Sequence, residues 1–354
     1  MRQHRLWLRP ASGPTTQPWR EPRAISAPQS LASLATLGRN RALVYAFPSM
    51  PRQKKFKIAL VQMACGADLD ANLRQAIEGI GEAACQGARI VCLPELFRSP
   101  YFCQREDASL FDLAERVPGP STNALARAAR KSRVVVIAPV FERRAPGVYH
   151  NSAAVLGPTG KLIGLYRKMH IPDDPGYYEK FYFTPGDLGF HAFDTPAGRI
   201  APLICWDQWY PEAARLVALE GASVIFYPTA IGWHPSEKRR FGITQRDAWR
   251  TVQRGHAISN GVYVAVVNRV GVEKARPSDA GIEFWGSSFV ADPQGVVVAE
   301  ASADREEILI GEVDLSRLED VRRNWPFWRD RRIDAYTGLT RRLLDAPSDG
   351  GEKQ

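Results

Sequence analysis

Cys205 is the first residue that invites chemistry, in the stretch APLICWDQWYPEAAR (201–215). It stands where an apolar run stops and a helix-like pattern begins. A cysteine there is either buried filler or a nucleophile presented at a strand end. Three other reactive side chains hold the same kind of place. Glu95 closes RIVCLPE, Glu142 closes RVVVIAPVFE and Lys168 closes KLIGLYRK. In an α/β sheet, functional groups gather beyond the carboxyl ends of strands. Singly, a strand-terminal Glu or Lys is ordinarily a solvated residue at a loop start. Together the four form a working set. A thiolate supplies a nucleophile, a carboxylate takes its proton and later protonates a leaving amine, and an ammonium stabilises an oxyanion. The backbone N–H of Trp206, where the chain turns into a helix, is a second candidate oxyanion donor.

Histidine is the usual partner of a catalytic cysteine. The chain has six, at 4, 150, 170, 191, 234 and 256, and no Asn or Asp pattern couples any of them to Cys205 in the manner of a papain-like protease. His170, in RKMHIP, lies near Lys168 but equally suits loop packing. The five cysteines are odd in number and none forms a CxxC pair. That usage argues against a disulfide framework or a structural zinc and suits a reducing interior. No ligand cluster is visible, so neither a metal nor a cofactor is expected.

The elements that must position these groups start at Lys57. KIALVQM (57–63) reads as a strand, 71–87 as a helix ending at Gly87, and 88–95 as a second strand. Residues 121–132 read as a helix and 133–142 as a third strand. This β-α-β-α-β order of near-continuous apolar strands argues for an α/β fold buried on both faces. Hairpins follow, around Pro-Thr-Gly in 150–168, Pro-Ala-Gly in 193–205 and Asp-Pro-Gln-Gly in 287–301. Two helix-covered sheets in a single domain, 56–342, are expected, followed by a disordered tail, 343–354. Residues 1–50 show no sustained period and read as a disordered or non-native extension ahead of a start at Met50. A transit peptide is the alternative, because the segment is Arg- and Ser-rich and nearly acid-free.

The net charge of +9 at first suggests an anionic partner. Residues 1–50 hold seven arginines against one acid, Glu21, so six of the nine charges sit there. A nucleic-acid partner for the body is therefore not expected. No apolar run reaches the 18 or so residues of a membrane helix, so no membrane partner is expected either. A cytoplasmic protein is the expectation, or an organellar one if residues 1–50 act as a transit peptide.

CLPELF, YRKMHIP and LICWDQWYPEAAR resemble the three signature segments of the nitrilase, or carbon–nitrogen hydrolase, superfamily. Their order and spacing also fit: Lys168 lies 73 residues after Glu95, and Cys205 lies 37 after Lys168. The resemblance extends over about 56–342. It implies an α-β-β-α sandwich and a catalytic triad of Glu95 as base and acid, Lys168 as oxyanion stabiliser and Cys205 as nucleophile. It also implies that Glu142 is a second glutamate that helps hold the lysine and the substrate.

HIPDDPGYYEKFYFTPGD, TAIGWHPSEK, HAISNGVYVAVVNRVG and RRNWPFWRDRRIDAYTGL resemble the branch that hydrolyses N-carbamoylputrescine to putrescine, carbon dioxide and ammonia. Asp174, Tyr178 and the pair Trp233–His234 depart from that branch's pattern, in loops expected to touch the substrate's distal end. The resemblance thus implies a small ureide substrate. Asp173, Asp174 and Glu179 favour an amine-tailed one, because an ammonium leaving water needs a carboxylate. β-Ureidopropionase, ω-amidase and nitrilase activities keep the triad and change the pocket; a non-catalytic scaffold would have no need of it. NWPFWRDRRIDAY (324–336), dense in aromatics and arginines, is expected to anchor a homo-oligomer.

Overall fold

A computed structural model describes residues 55–344. The expected extension 1–50 lies outside them, as does all but the start of the expected tail 343–354. In chain order the strands and helices are β1 (Lys55–Gln62), α1 (Leu69–Cys85), β2 (Ala88–Cys92), α2 (Pro120–Ser132), β3 (Val135–Ala145), β4 (Val148–Leu156), β5 (Leu162–Arg167) and α3 (Glu179–Tyr182). Then come β6 (Phe193–Thr195), β7 (Gly198–Pro202), α4 (Pro211–Leu219), β8 (Val224–Pro228), β9 (Gly232–Trp233), α5 (Pro235–Asn260) and β10 (Tyr263–Val267). The series ends with β11 (Val270–Glu273), β12 (Ile282–Trp285), β13 (Phe289–Ala291), β14 (Val297–Glu300), β15 (Glu307–Asp314) and α6 (Leu315–Asn324).

Two six-stranded sheets result, in the orders β15-β1-β2-β3-β4-β5 and β14-β13-β10-β8-β7-β6. Each has a parallel centre, β1-β2-β3 in one and β7-β8-β10 in the other, edged by antiparallel strands. The apolar runs explain the centre. Ile58, Leu60, Ile90 and Ile137 of the first sheet pack in one core with Ile200, Val224 and Val264 of the second. The alternate residues Ala59, Val61, Val91 and Val136 face outward and join Ala76, Ile80, Leu125 and Ala129 of α1 and α2. A parallel strand covered on both faces needs apolar residues at every position, which is why these segments do not alternate.

Helix boundaries follow local chemistry. Asp68 caps α1 by accepting from the N–H groups of Asp70 and Ala71. Proline opens α2, α4 and α5, where its missing N–H costs nothing. α5 ends at Gly261, whose φ of +55° closes the last turn. The three expected hairpins are present as β4–β5, β6–β7 and β13–β14. The third strand differs from expectation: it continues beyond Glu142 to Ala145, because β4 pairs with it through that stretch. Glu142 therefore stands inside a ladder rather than at a strand end. Among the described residues no helix is long and apolar enough to cross a membrane.

Candidate active site

Glu95, Lys168 and Cys205 follow β2, β5 and β7, and all three are buried. Lys168 is the centre of the arrangement. Its Nζ donates to Glu95 Oε1 at 2.8 Å and to Glu179 Oε2 at 2.6 Å, with no solvent exposure. Burial alone would favour a neutral amine, but the charges of Glu179 and Glu95 outweigh it and hold the lysine well above its usual range. Its backbone is fixed too, the N–H donating to Asn151 O at 2.8 Å.

Glu95 is held on one oxygen and free on the other. Oε1 accepts from Asn151 Nδ2 at 2.7 Å as well as from Lys168. Oε2 is buried and has no hydrogen-bond partner. The loop beneath it is clamped by Arg269, at the end of β10. That guanidinium donates to the carbonyls of Glu95, Leu96 and Ser99, at 2.8, 2.6 and 3.1 Å, and is neutralised by Glu273. The clamp holds Leu96 at a φ of +49°.

Cys205 begins a 3-10 turn, Cys205–Trp209, three residues beyond the end of β7. Its φ of +43° lies in the left-handed region that a side chain disfavours, a conformation costing roughly 1–3 kcal/mol. Sγ lies 4.0 Å from Ala230 O. Burial and the Glu95 charge push the thiol well up, and Lys168 only partly offsets them. Burial thus favours the thiol over the thiolate, and a nucleophile there needs a base; the partner-free oxygen of Glu95 is a buried acceptor whose charge acts on Cys205. Trp206 is the second residue of the turn, where a backbone N–H has no acceptor within the turn.

Three expected sites stand elsewhere. Glu142 does not touch Lys168; it accepts from Arg167 Nε at 2.8 Å and Ser152 Oγ at 2.6 Å. Its place within the β3–β4 ladder aims it at Arg167, the residue before the lysine. Glu179 does not share the exposed loop surface of Asp173 and Asp174. It opens α3, is fully buried, and accepts from Tyr101 Oη at 2.7 Å besides Lys168. Burial and the neighbouring Glu95 push its carboxyl up to about 7, with Lys168 opposing. The short helix turns Glu179 inward while Asp173 and Asp174 stay exposed. Trp233 is buried rather than presented from its loop: its Nε1 donates to Gly242 O at 3.0 Å and its ring packs on Trp285.

His234 is half-buried at the start of α5, beside Gly176. The loops carrying Asp173–Tyr177 and Ala230–His234 are joined, because Tyr177 Oη accepts from Gly232 N at 3.1 Å. Asn151, Tyr101 and Arg269 escaped the sequence reading. A polar pair at the start of an apolar strand (HNSAAVL) and an arginine ending one (VAVVNR) were the available signals.

Two helix-covered sheets thus gather Glu95, Lys168 and Cys205 just beyond strand ends. The chain belongs to the carbon-nitrogen hydrolase family, whose sequence pattern matches residues 57–323. It is 41% identical over 290 residues to an N-carbamoylputrescine amidase of Arabidopsis thaliana, covering 81% of this chain and 96% of that protein. It is 39% identical over 287 residues to a citrullinase of Francisella tularensis subsp. tularensis, covering 81% and 98%. A crystal structure of a carbon-nitrogen hydrolase from Helicobacter pylori G27 superposes with a TM-score of 0.79 at 46% identity, covering 82% of this chain and all of that one.

Proposed function

We propose that this chain hydrolyses N-carbamoylputrescine to putrescine, carbon dioxide and ammonia, with Cys205 as nucleophile. The observation that carries the chemistry is the buried contact of Lys168 with Glu95, whose second oxygen is buried without a partner while its charge acts on the buried Cys205 thiol. Likeness to the N-carbamoylputrescine amidases supports the substrate.

Glu95 Oε2 takes the Cys205 proton as Sγ attacks the carbamoyl carbon. The oxyanion is stabilised by Lys168 Nζ and the Trp206 N–H. The protonated Glu95 then delivers its proton to the departing amine, leaving a carbamoyl thioester. Glu95 next takes a proton from water as that water attacks the thioester; hydrolysis frees the thiol and a carbamic acid, which loses carbon dioxide to give the second amine. Glu179, with Tyr101, keeps Lys168 charged and oriented throughout. In this reading the exposed acids Asp173 and Asp174, with His234, would bind the ammonium tail.

The exposed aromatic and aliphatic side chains of the C-terminal arm support a homo-oligomer. Trp328 folds back onto its own domain, donating to Asn260 O, but Phe327, Ile333 and Leu339 are 43%, 71% and 65% exposed.

The test is ammonia release from a panel: N-carbamoylputrescine, citrulline, N-carbamoyl-β-alanine, an ω-amide and a simple nitrile. A kcat/KM highest for N-carbamoylputrescine and abolished by Cys205→Ala is expected. Preference for citrulline or for an acid-tailed substrate would overturn the tail assignment while leaving the nucleophile standing.

A further inference from the structure

Asp207 has no part in the chemistry above, yet it is fully buried, two residues after Cys205. Its two oxygens face four nitrogen or hydroxyl groups. Oδ1 accepts from His170 N at 3.0 Å and lies 2.7 Å from His170 Nδ1. Oδ2 accepts from Tyr166 Oη at 2.7 Å and from Ile204 N at 2.9 Å. Tyr166 and His170 stand two residues either side of Lys168. Ile204 immediately precedes Cys205.

One carboxylate thus ties the segment carrying the lysine to the turn carrying the cysteine. From this geometry we infer that Asp207 is a positioning residue, which sets the Cys205 turn in register with Lys168. The inference rests on the nucleophile reading given above. Four contacts use the acceptor sites that a carboxylate has, so Asp207 has none left for a substrate or a catalytic proton. The turn also needs holding, since Cys205 sits at a φ of +43°. The N–H of Ile204 is bound by the Asp207 side chain, and its carbonyl accepts from the Asp207 N–H at 3.0 Å. His170 is fixed in turn by stacking on Tyr210, with ring centroids 3.7 Å apart and planes 4° from parallel.

An asparagine keeps the shape but presents an NH2 group to two of the four donors. The mismatch moves the turn relative to the lysine. Displacements of about an ångström in a catalytic constellation cost on the order of 100-fold in rate.

Five proteins are compared: wild type, Asp207→Asn, Tyr166→Phe, the double variant of these two, and a control, Asp292→Asn. Asp292 is also buried and accepts from Gln294 N and Val296 N, but it holds the β13–β14 turn. The readouts are kcat and KM on N-carbamoylputrescine and the rate of Cys205 alkylation by iodoacetamide, followed by mass spectrometry below each protein's melting transition. Asp207→Asn is expected to lower kcat by about 100-fold with KM within about twofold, and to slow alkylation. Tyr166→Phe shows a smaller loss of the same kind, and the double variant is no worse than Asp207→Asn alone. Asp292→Asn lowers Tm and leaves kcat and alkylation unchanged.

The inference is overturned if Asp207→Asn loses no more kcat than Asp292→Asn, or if the Asp207 and Tyr166 effects multiply. Should Asp207→Asn not fold, an unchanged kcat in Tyr166→Phe overturns it. Failure of the wild-type Cys205 to be alkylated would sink the nucleophile reading instead. If N-carbamoylputrescine is not the substrate, the alkylation arm still decides the role of Asp207.

Discussion

Replacing Glu179 by glutamine separates two roles for one acid. At the pocket mouth, its loss would raise KM for a cationic substrate and spare kcat. As a buried partner of Lys168, its loss falls on kcat. Glutamine keeps the length and still accepts from Tyr101 Oη. What it loses is the charge opposite Nζ, across a contact of 2.6 Å. Lys168 keeps Glu95, so no bare buried cation is left. Converting a charge-assisted hydrogen bond to a neutral one therefore costs about 1–2 kcal/mol of stability rather than the 3–5 of a broken buried pair. The effect on turnover is larger, because an ammonium no longer anchored on that side loses its aim at the oxyanion. Removing an oxyanion donor outright costs about 100- to 1,000-fold, and a fall in kcat of about 100-fold is expected, with KM within about twofold. Steady-state kinetics on N-carbamoylputrescine, with Tm by calorimetry, measures both. A tenfold rise in KM at unchanged kcat would refute the argument and return Glu179 to the tail.

The same carboxyl, pushed up to about 7, takes up a proton as pH falls, so turnover is expected to decline below about pH 7 and Glu179→Gln to flatten that limb; an unaltered limb assigns it to another group. Lys168→Arg keeps the charge but changes the donor directions in a site closed to solvent, and a loss of at least about 100-fold in kcat is expected. Asp173→Asn and Asp174→Asn, both exposed, are expected to raise KM for N-carbamoylputrescine far more than they lower kcat, and to leave a neutral ureide unaffected; an unchanged KM in both places the ammonium elsewhere. Burial alone would raise the Glu142 carboxyl, but hydrogen bonds from Arg167 and Ser152 win and hold it below its ordinary 4.5. The unfolded chain then binds more protons as pH falls below 4.5, so Glu142 contributes stability that is present above that pH and lost beneath it. Thermal melts should show the wild type's margin over Glu142→Gln shrinking between pH 7 and about pH 3.5.

What could be read from the sequence was what a single segment encodes. Apolar strands with a reactive residue after each located Glu95, Lys168 and Cys205, because the end of an apolar run marks where a chain leaves a sheet. Glu142 and Glu179 were placed differently by the structure, each because of a neighbouring element. Whether an acid ends a strand or sits in a ladder depends on how far a neighbour pairs with it. β4 extends β3 by three residues beyond Glu142, and no feature of RVVVIAPVFE announces that. Glu179 lies among exposed acids in a polar loop, and only the one-turn helix it begins turns it toward Lys168. Trp233 likewise reads as a loop aromatic until α5 supplies the Gly242 carbonyl for its indole.

Arg269 and Asp207 carry the same lesson further. Each is a charged side chain in an apolar setting, and a charge survives there only when fully paired. Most of their partners lie in segments remote in sequence: the carbonyls of Glu95, Leu96 and Ser99 for the arginine, Tyr166 and His170 for the aspartate. A motif scan finds groups that react, because their chemistry resides in the residue itself. The groups that hold them are defined by what they touch, and their only trace in the sequence is a charge where an apolar residue would have served.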